Sequence, residues 1–161
     1  MADDKDPIAE PIVLPDGYGT PKCTLDWPVV RELLETSMRY WLVTTRPDGR
    51  MHVVPVDGMW LDDVWYHGGA ADTVHLRNLQ ENPAAVMHLE DAWRAVVVEG
   101  TNELVKPPKK LASRLAKAAN AKYGYGATAA GYEKDGIWSM TPGRAMAWTT
   151  FPEDATRFRF D

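Results

Sequence analysis

Between Asp72 and Pro83 the chain reads Asp72-Thr73-Val74-His75-Leu76-Arg77-Asn78-Leu79-Gln80-Glu81-Asn82-Pro83. Asp72 and Thr73 are capping types, Leu76 and Leu79 stand at helical spacing, and proline halts the run, so a short helix is expected over about 73 to 81. The start of a helix presents unpaired amides and the positive end of its dipole, which favours an anion, and Thr73, His75, Arg77 and Asn78 add donors. A phosphate is the natural occupant, and a protonated His75 would hold it more strongly, so affinity would fall as pH rises. The rival reading is local: Asp72 and Thr73 cap the helix and Arg77 is solvated. A second cationic feature lies further on. Between Val105 and Tyr132 there are six Lys or Arg residues and no acid. Lys106, Lys110, Arg114 and Lys117 follow spacings of four, four and three along one helical face, which is either a solvated surface or an anion groove.

Other catalytic machinery is sparse. Cys23 is the lone cysteine and lies in a proline-rich segment, and no Gly-x-Ser-x-Gly elbow occurs. His52, His67, His75 and His88 fall on different elements without HExxH spacing, and no CxxC accompanies them, so no metal site is expected. Scarcity of this kind suits a protein whose organic cofactor carries out hydride chemistry while the chain orients and desolvates it.

Several elements must position these groups. Asp26 can cap a helix expected to have Pro28 in its first turn and an apolar face of Val29, Val30, Leu33, Leu34 and Met38, ending near Arg39. Strands are expected at about 40 to 46, 51 to 60 and 64 to 67, joined by Pro47-Asp48-Gly49 and by a hairpin around Leu61-Asp62-Asp63. After the short helix come strands near 84 to 90 and 94 to 104. The second contains Ala95-Val96-Val97-Val98, apolar on both faces, as a central strand would be. Lys106-Pro107-Pro108 opens a helix from Lys109 to about Tyr123, burying Leu111, Leu115 and Ala118 and ended by Gly124 and Gly126. Ile137 to Met140 and Arg144 to Thr149 are expected to form a hairpin around Thr141-Pro142-Gly143, and Thr156 to Phe160 a last strand. Many antiparallel strands with short turns and few helices favour a small closed or nearly closed barrel, because closure removes exposed edges.

At 161 residues the chain suits one domain, assigned to 26–161, with 1–25 as an extended arm. Pro7, Pro11, Pro15, Gly17, Gly19 and Pro21 disfavour a helix or central strand there, and such an arm would lie across a partner subunit. A net charge of −5 argues against general nucleic-acid binding. The acidic start lacks a secretory pattern, no apolar run approaches the roughly 20 residues that span a bilayer, and one cysteine suits a reducing compartment, so a cytoplasmic protein without membrane partners is expected. Seven tryptophans exceed what one core readily holds, which places some at a cofactor slot or an interface.

The order of these features carries a resemblance. A strand, Pro47-Asp48-Gly49, a strand ending Val54-Pro55-Val56, a hairpin to an aromatic-glycine step, Arg77-Asn78-Leu79 followed by Asn82-Pro83, and a strand ending Glu99-Gly100 resemble the pyridoxamine-phosphate-oxidase-like split β-barrel superfamily. Within it the chain is similar to the F420-dependent flavin/deazaflavin oxidoreductase branch, over roughly 27 to 161, including Ala145 to Trp148 and Thr156 to Phe160. The resemblance implies a homodimer with a cofactor cleft between subunits and hydride transfer between coenzyme F420 and a small organic substrate. FMN-dependent oxidoreduction and non-catalytic carriage of a cofactor, haem-type ligand or other small molecule are the alternatives. It further implies that His52, Val53, Val54, Pro55 and Val56 run beside the ring, followed by Asp57 and Gly58. Gly68, Gly69, Thr73, His75, Arg77 and Asn78 would surround the phosphate, although relatives place a lysine at His75 and a hydroxyl residue at Gly69. Lys110 and Arg114 would attract a polyglutamyl tail, Trp148 would stack at the ring's rim, and Trp93-Arg94 would reach across the dimer. No residue stands out as proton donor, which leaves solvent or a tyrosine.

Overall fold

A computed structural model describes residues 6–161. In chain order the elements are β1 (Ile8–Pro11), α1 (Trp27–Thr36), β2 (Tyr40–Thr45), β3 (Met51–Val56), β4 (Gly58–Leu61), β5 (Val64–His67), α2 (Val74–Glu81), β6 (Ala84–His88), β7 (Val96–Val105), α3 (Lys109–Tyr123), α4 (Ala129–Asp135), β8 (Ile137–Ala147) and β9 (Thr156–Arg159). All pairings are antiparallel. The strand order is β1-β9-β8-β7-β6-β2-β3, with β4 joined to β5 and β5 to β8. This is the mainly β split-barrel architecture expected.

Side-chain alternation explains why the sheet curls around one core. The row Val54, Leu42, Met87, Val98, Ala145 and Phe158 is cross-strand paired and turned inward, and all but the partly buried Val54 are buried. One residue along, Val53, Val43 and Val86 form the outward row. A one-residue slip would exchange these rows, so the apolar pattern fixes the register. β7 is central, as its valine run indicated: Val96 and Val98 are buried. α1 closes one end of this core with Trp27, Val30 and Leu34. A second apolar cluster joins Leu115 and Ala119 of α3 to Met59, Tyr66 and Ile137 on the outside of β4, β5 and β8. Trp27, Trp60, Trp65 and Trp138 are buried, whereas Trp93 is 89% exposed.

The structure corrects three local expectations. Ile137 to Ala147 is one strand, not a hairpin: β8 pairs with β7 from Val105↔Ile137 to Val96↔Ala147, with a register shift at Glu99/Gly100. Its other edge pairs with β5 through Trp138–Met140 and then with β9 through Arg144–Ala147. Thr141-Pro142-Gly143 is therefore a bulged corner where the strand changes partner, and the residue chemistry that makes turns also makes bulges. The opposing Gly100 is required, since a Cβ there would lie 2.5 Å from the Thr141 carbonyl oxygen. The expected strand 51–60 breaks at Asp57 into β3 and β4, which do not pair with each other. α1 ends at Thr36 rather than near Arg39, leaving Met38 and Val29 exposed. α4 was not foreseen. The N-terminal segment pairs as an edge strand with β9 of its own chain, Ile8↔Arg159 to Pro11↔Thr156.

The Asp62-Asp63 turn shows how local strain is held. Both residues adopt positive φ (53° and 55°), the two-residue hairpin geometry that follows sheet twist. The Asp63 carboxylate accepts from Trp27 Nε1, Trp60 Nε1 and Arg31, tying α1 to β4. Burial pushes its carboxyl up, but the hydrogen bonds from Arg31, Trp27 and Trp60 outweigh this and hold it below the ordinary value.

Candidate functional site

Where β3 breaks into β4, the sheet opens into a cleft of about 770 Å³. Its floor is Pro55, Val56, Asp57, Gly58 and Met59, and one side is His67-Gly68-Gly69 with His75, Leu76 and Gln80 of α2. Opposite stands an aromatic wall of Tyr123 at the end of α3, Tyr125 just beyond it, Tyr132 of α4 and Trp138 of β8. Gly124, at φ 69°, ends α3 in the left-handed conformation, so the chain turns with Tyr123 and Tyr125 stacked at 5.0 Å. β3 pairs only with β2, so the backbone groups of its other edge are not used by the sheet.

Three ionisable side chains of full charge line the cleft, Arg39, Asp57 and Asp135, so acids outnumber the one base. Arg39 Nε lies 3.1 Å from Asp57 Oδ1, an ion pair whose N–H is not aligned for a hydrogen bond, which leaves that oxygen without a hydrogen-bond partner. His67 is buried and stacked on Trp65 at 4.4 Å. Asn102 Nδ2 donates to the Pro83 carbonyl, so its Oδ1 accepts from His67 Nε2 at 2.8 Å. This selects the Nε2–H tautomer and leaves Nδ1 a buried acceptor without a partner. Burial pushes His67 down to about 4, so the ring is neutral at physiological pH. His75 Nε2 lies 3.3 Å from the Gly68 carbonyl oxygen, which accepts its N–H, and burial also lowers its pKa, which disfavours a cation at this edge of the cleft.

An arginine-rich groove runs along the other side of α2. It is lined by Arg46, Arg50 and Arg77 together with the acids Asp48 and Glu81, and Gln80 borders both spaces. Arg50 is paired with Asp48 at 2.7 Å. Arg46 Nη2 is 3.2 Å from His52 Nδ1, and Arg77 is exposed with no ion pair among the described residues. Thr73 occupies the N-cap of α2, yet its buried hydroxyl makes no hydrogen bond, so capping by that side chain does not satisfy the first-turn amides.

Of the residues singled out in the sequence, Pro55, Val56, Gly68, Gly69 and His75 meet in the cleft, with Thr73 adjoining Gly69. His52, Val53 and Val54 precede them on β3, where Val54 packs into the core and Val53 faces outward. Arg77 and Asn78 lie across α2, and Asn78 is buried with Nδ2 donating to Thr44 Oγ1 at 3.0 Å. Lys110 and Arg114 are exposed on α3 outside the cleft, and Arg114 forms a bidentate pair with Asp62 at 2.5 and 2.7 Å. Trp148 is half-buried and packs edge-on against Phe151 at 5.2 Å. Sequence reasoning missed the wall of Tyr123, Tyr125, Tyr132 and Trp138, together with His67. The alternation Tyr123-Gly124-Tyr125-Gly126 was the available signal, since glycine-flanked aromatics at a helix end are neither helix nor strand.

A cleft at a broken edge strand, walled by aromatic side chains and flanked by an arginine-rich groove, defines a split barrel with a candidate ligand site. The profile of the pyridoxamine 5'-phosphate oxidase family matches residues 27–149, and the chain belongs to that family. Among solved structures, a conserved hypothetical protein from Mycobacterium tuberculosis is 19% identical, with TM-score 0.65, over 79% of this chain and 86% of that one. An F420 reductase is 23% identical, with TM-score 0.55, over 82% and 98%. HutZ, a haem storage protein from Vibrio cholerae, is 16% identical, with TM-score 0.55, over 71% and 88%. At these identities the likeness is one of fold. A comparison with curated proteins finds no significant match. Among the described residues no helix is long and apolar enough to cross a membrane, and no cluster of three or more metal-ligating side chains occurs.

Proposed function

We propose that this protein is a homodimeric oxidoreductase that uses coenzyme F420, with the coenzyme's ring lying on the Pro55–Gly58 floor against the tyrosine and tryptophan wall. The cleft carries the reading: about 770 Å³ of aromatic-lined space beside an unpaired strand edge suits a flat heterocycle with polar edges. When bound, the coenzyme supplies hydride transfer. The chain's own residues orient the ring through backbone groups of β3, exclude water with Leu76, Ile137 and Trp138, and hold a proton at the Tyr132 hydroxyl. Burial raises Tyr132, so it keeps its proton at neutral pH and serves as a donor to reduced substrate.

The coenzyme's phosphate would pass Gln80 to Arg46 and Arg77, which form no ion pair among the described residues although Glu81 lines the same groove. Lys106, Lys110 and Lys117 supply a positive surface for a polyglutamyl tail, to which Arg114 adds less because Asp62 already neutralises it. Self-association is supported by the outward row of the sheet. Met51 and Val53 are 57% and 51% exposed and continue across Val43 and Val86, an apolar strip that a second copy of the chain would cover.

Titration of the purified protein with F420 and with FMN, followed by turnover of the reduced coenzyme on a panel of electron-poor organic substrates, tests the reading. Saturable F420 binding with turnover supports it. A yellow protein that retains FMN would move the activity to the flavin, and binding without turnover would make the chain a carrier. Failure to bind either coenzyme would end the proposal.

A further inference from the structure

The last turn of α3 makes a joint that no part of the cleft description requires. Lys122 Nζ donates to the Tyr40 hydroxyl at 2.7 Å, to the Gly58 carbonyl at 3.1 Å and to the Glu35 carbonyl at 3.5 Å. Tyr40 is fully buried and its own hydroxyl donates to the Leu34 carbonyl at 2.6 Å, so the acceptor that Lys122 meets is itself anchored in the core. The neighbouring Tyr123 hydroxyl accepts from Gly58 N–H at 3.0 Å and lies 2.9 Å from the Gly58 carbonyl and 3.0 Å from that of Met38. Two consecutive side chains of one helix thus hold both backbone groups of a single residue.

That residue is the pivot of the cleft floor. Gly58 follows the break between β3 and β4, and a Cβ on it would lie 2.3 Å from Trp65 Nε1 and 2.9 Å from the Tyr66 carbonyl oxygen. The backbone is therefore pressed against Trp65 from below and tied to α3 from above. Its path sets where Val56 and Asp57 present their groups to the cleft. Lys122 does not line the cleft itself.

We propose that Lys122 is a positioning residue: by fixing the Gly58 carbonyl against Tyr40 it sets the shape of the Val56–Gly58 floor and, through that floor, the affinity for the ligand's ring. The inference rests on the function proposed above for the identity of that ligand, but the joint itself does not. A long flexible ammonium with three donors suits the task, because its acceptors come from α1, β2 and β4 and converge from different directions. The groups facing it are Tyr40 from β2, Glu35 from α1, Asp57 between β3 and β4, and Tyr123 from its own helix.

The test uses the full chain and two readouts. Amide hydrogen exchange at Gly58, with Val98 as an internal reference, reports the floor, and titration with F420 and FMN reports the ring site. Lys122→Met should lower the Gly58 protection factor by about tenfold and weaken coenzyme binding about fivefold to tenfold, leaving Val98 unchanged, because a charge-assisted hydrogen bond is lost. Lys122→Arg should recover most of both. Should the methionine variant fail to fold, Tyr40→Phe removes the hydroxyl that Lys122 contacts, together with its bond to the Leu34 carbonyl, and it should shift both readouts in the same direction. Unchanged Gly58 protection in the variants, or lost protection with unaltered affinity, would overturn the proposal. Were the wild-type chain to bind neither coenzyme, the functional reading would fall, while Gly58 protection would still decide whether Lys122 holds the floor.

Discussion

Lys122→Met also isolates a pH effect whose sign runs against intuition. Burial depresses the Lys122 ammonium from its ordinary 10.5 to about 8, with attraction to Asp57 opposing the shift only weakly. Between those values the unfolded chain holds a proton that the folded chain has released, so stability contributed at this site rises as pH climbs through 8. At about 1.4 kcal/mol per pH unit, raising pH from 8 to 9.5 would recover about 2 kcal/mol for a fully buried group. Lys122 is only partly buried, and solvent screening reduces the figure to about 1 kcal/mol. Urea unfolding of the wild type and of Lys122→Met at pH 7 and pH 9.5 measures it, since other titrating groups are common to both chains and cancel in the difference. The stability of the wild type relative to the variant should increase by about 1 kcal/mol between the two pH values. A flat difference, or one that moves against the wild type, would show that the ammonium is not desolvated in the joint.

Arg77→Ala should weaken coenzyme binding by about 1.5–3 kcal/mol if its guanidinium holds the phosphate, with the melting temperature unchanged because the side chain is exposed and unpaired; unaltered affinity in a titration removes it from the site. Asp63→Asn leaves Arg31 without its bidentate partner and should cost about 2–4 kcal/mol in urea unfolding at pH 7. Because the Asp63 carboxyl is held low, that contribution is present above the ordinary carboxylate range and fades as pH falls through its folded value, so the two proteins should converge in acid. Val53→Glu places a charge in the outward apolar strip and should shift light-scattering mass from dimer to monomer without loss of circular-dichroism signal; a wild type already monomeric at micromolar concentration refutes the dimer instead.

The legible parts of the fold share one property, that the signal and the structure occupy the same few residues. Pro47-Asp48-Gly49 closes the β2–β3 turn with Gly49 at φ 82°, Gly124 ends α3, and the valine run of β7 lies in a central strand with Val96 and Val98 buried. The same chemistry misled at Thr141-Pro142-Gly143, where a proline and a glycine open a bulge in a continuous strand. Whether such a pair turns the chain back or bends it depends on the partners offered at each edge, here β7 throughout and β5 then β9 in succession.

The site divides in the same way. Pro55, Val56, Gly68, Gly69 and His75 come from two nearby segments of chain, and the order of motifs was enough to draw them together. His67, Tyr123, Tyr132 and Trp138 reach the cleft from elements as much as 70 residues apart, and Arg114, promising by helical spacing, is matched with Asp62 across a turn that no local pattern links to it. By itself the sequence determined most strand and helix periodicities, turns such as Pro47-Asp48-Gly49, and the family, because these depend on backbone preferences and on solvent acting over a few neighbouring residues. Only the tertiary structure decided which charges are neutralised, which imidazoles are dry and which aromatics face one another, because burial and pairing are properties of the space between elements.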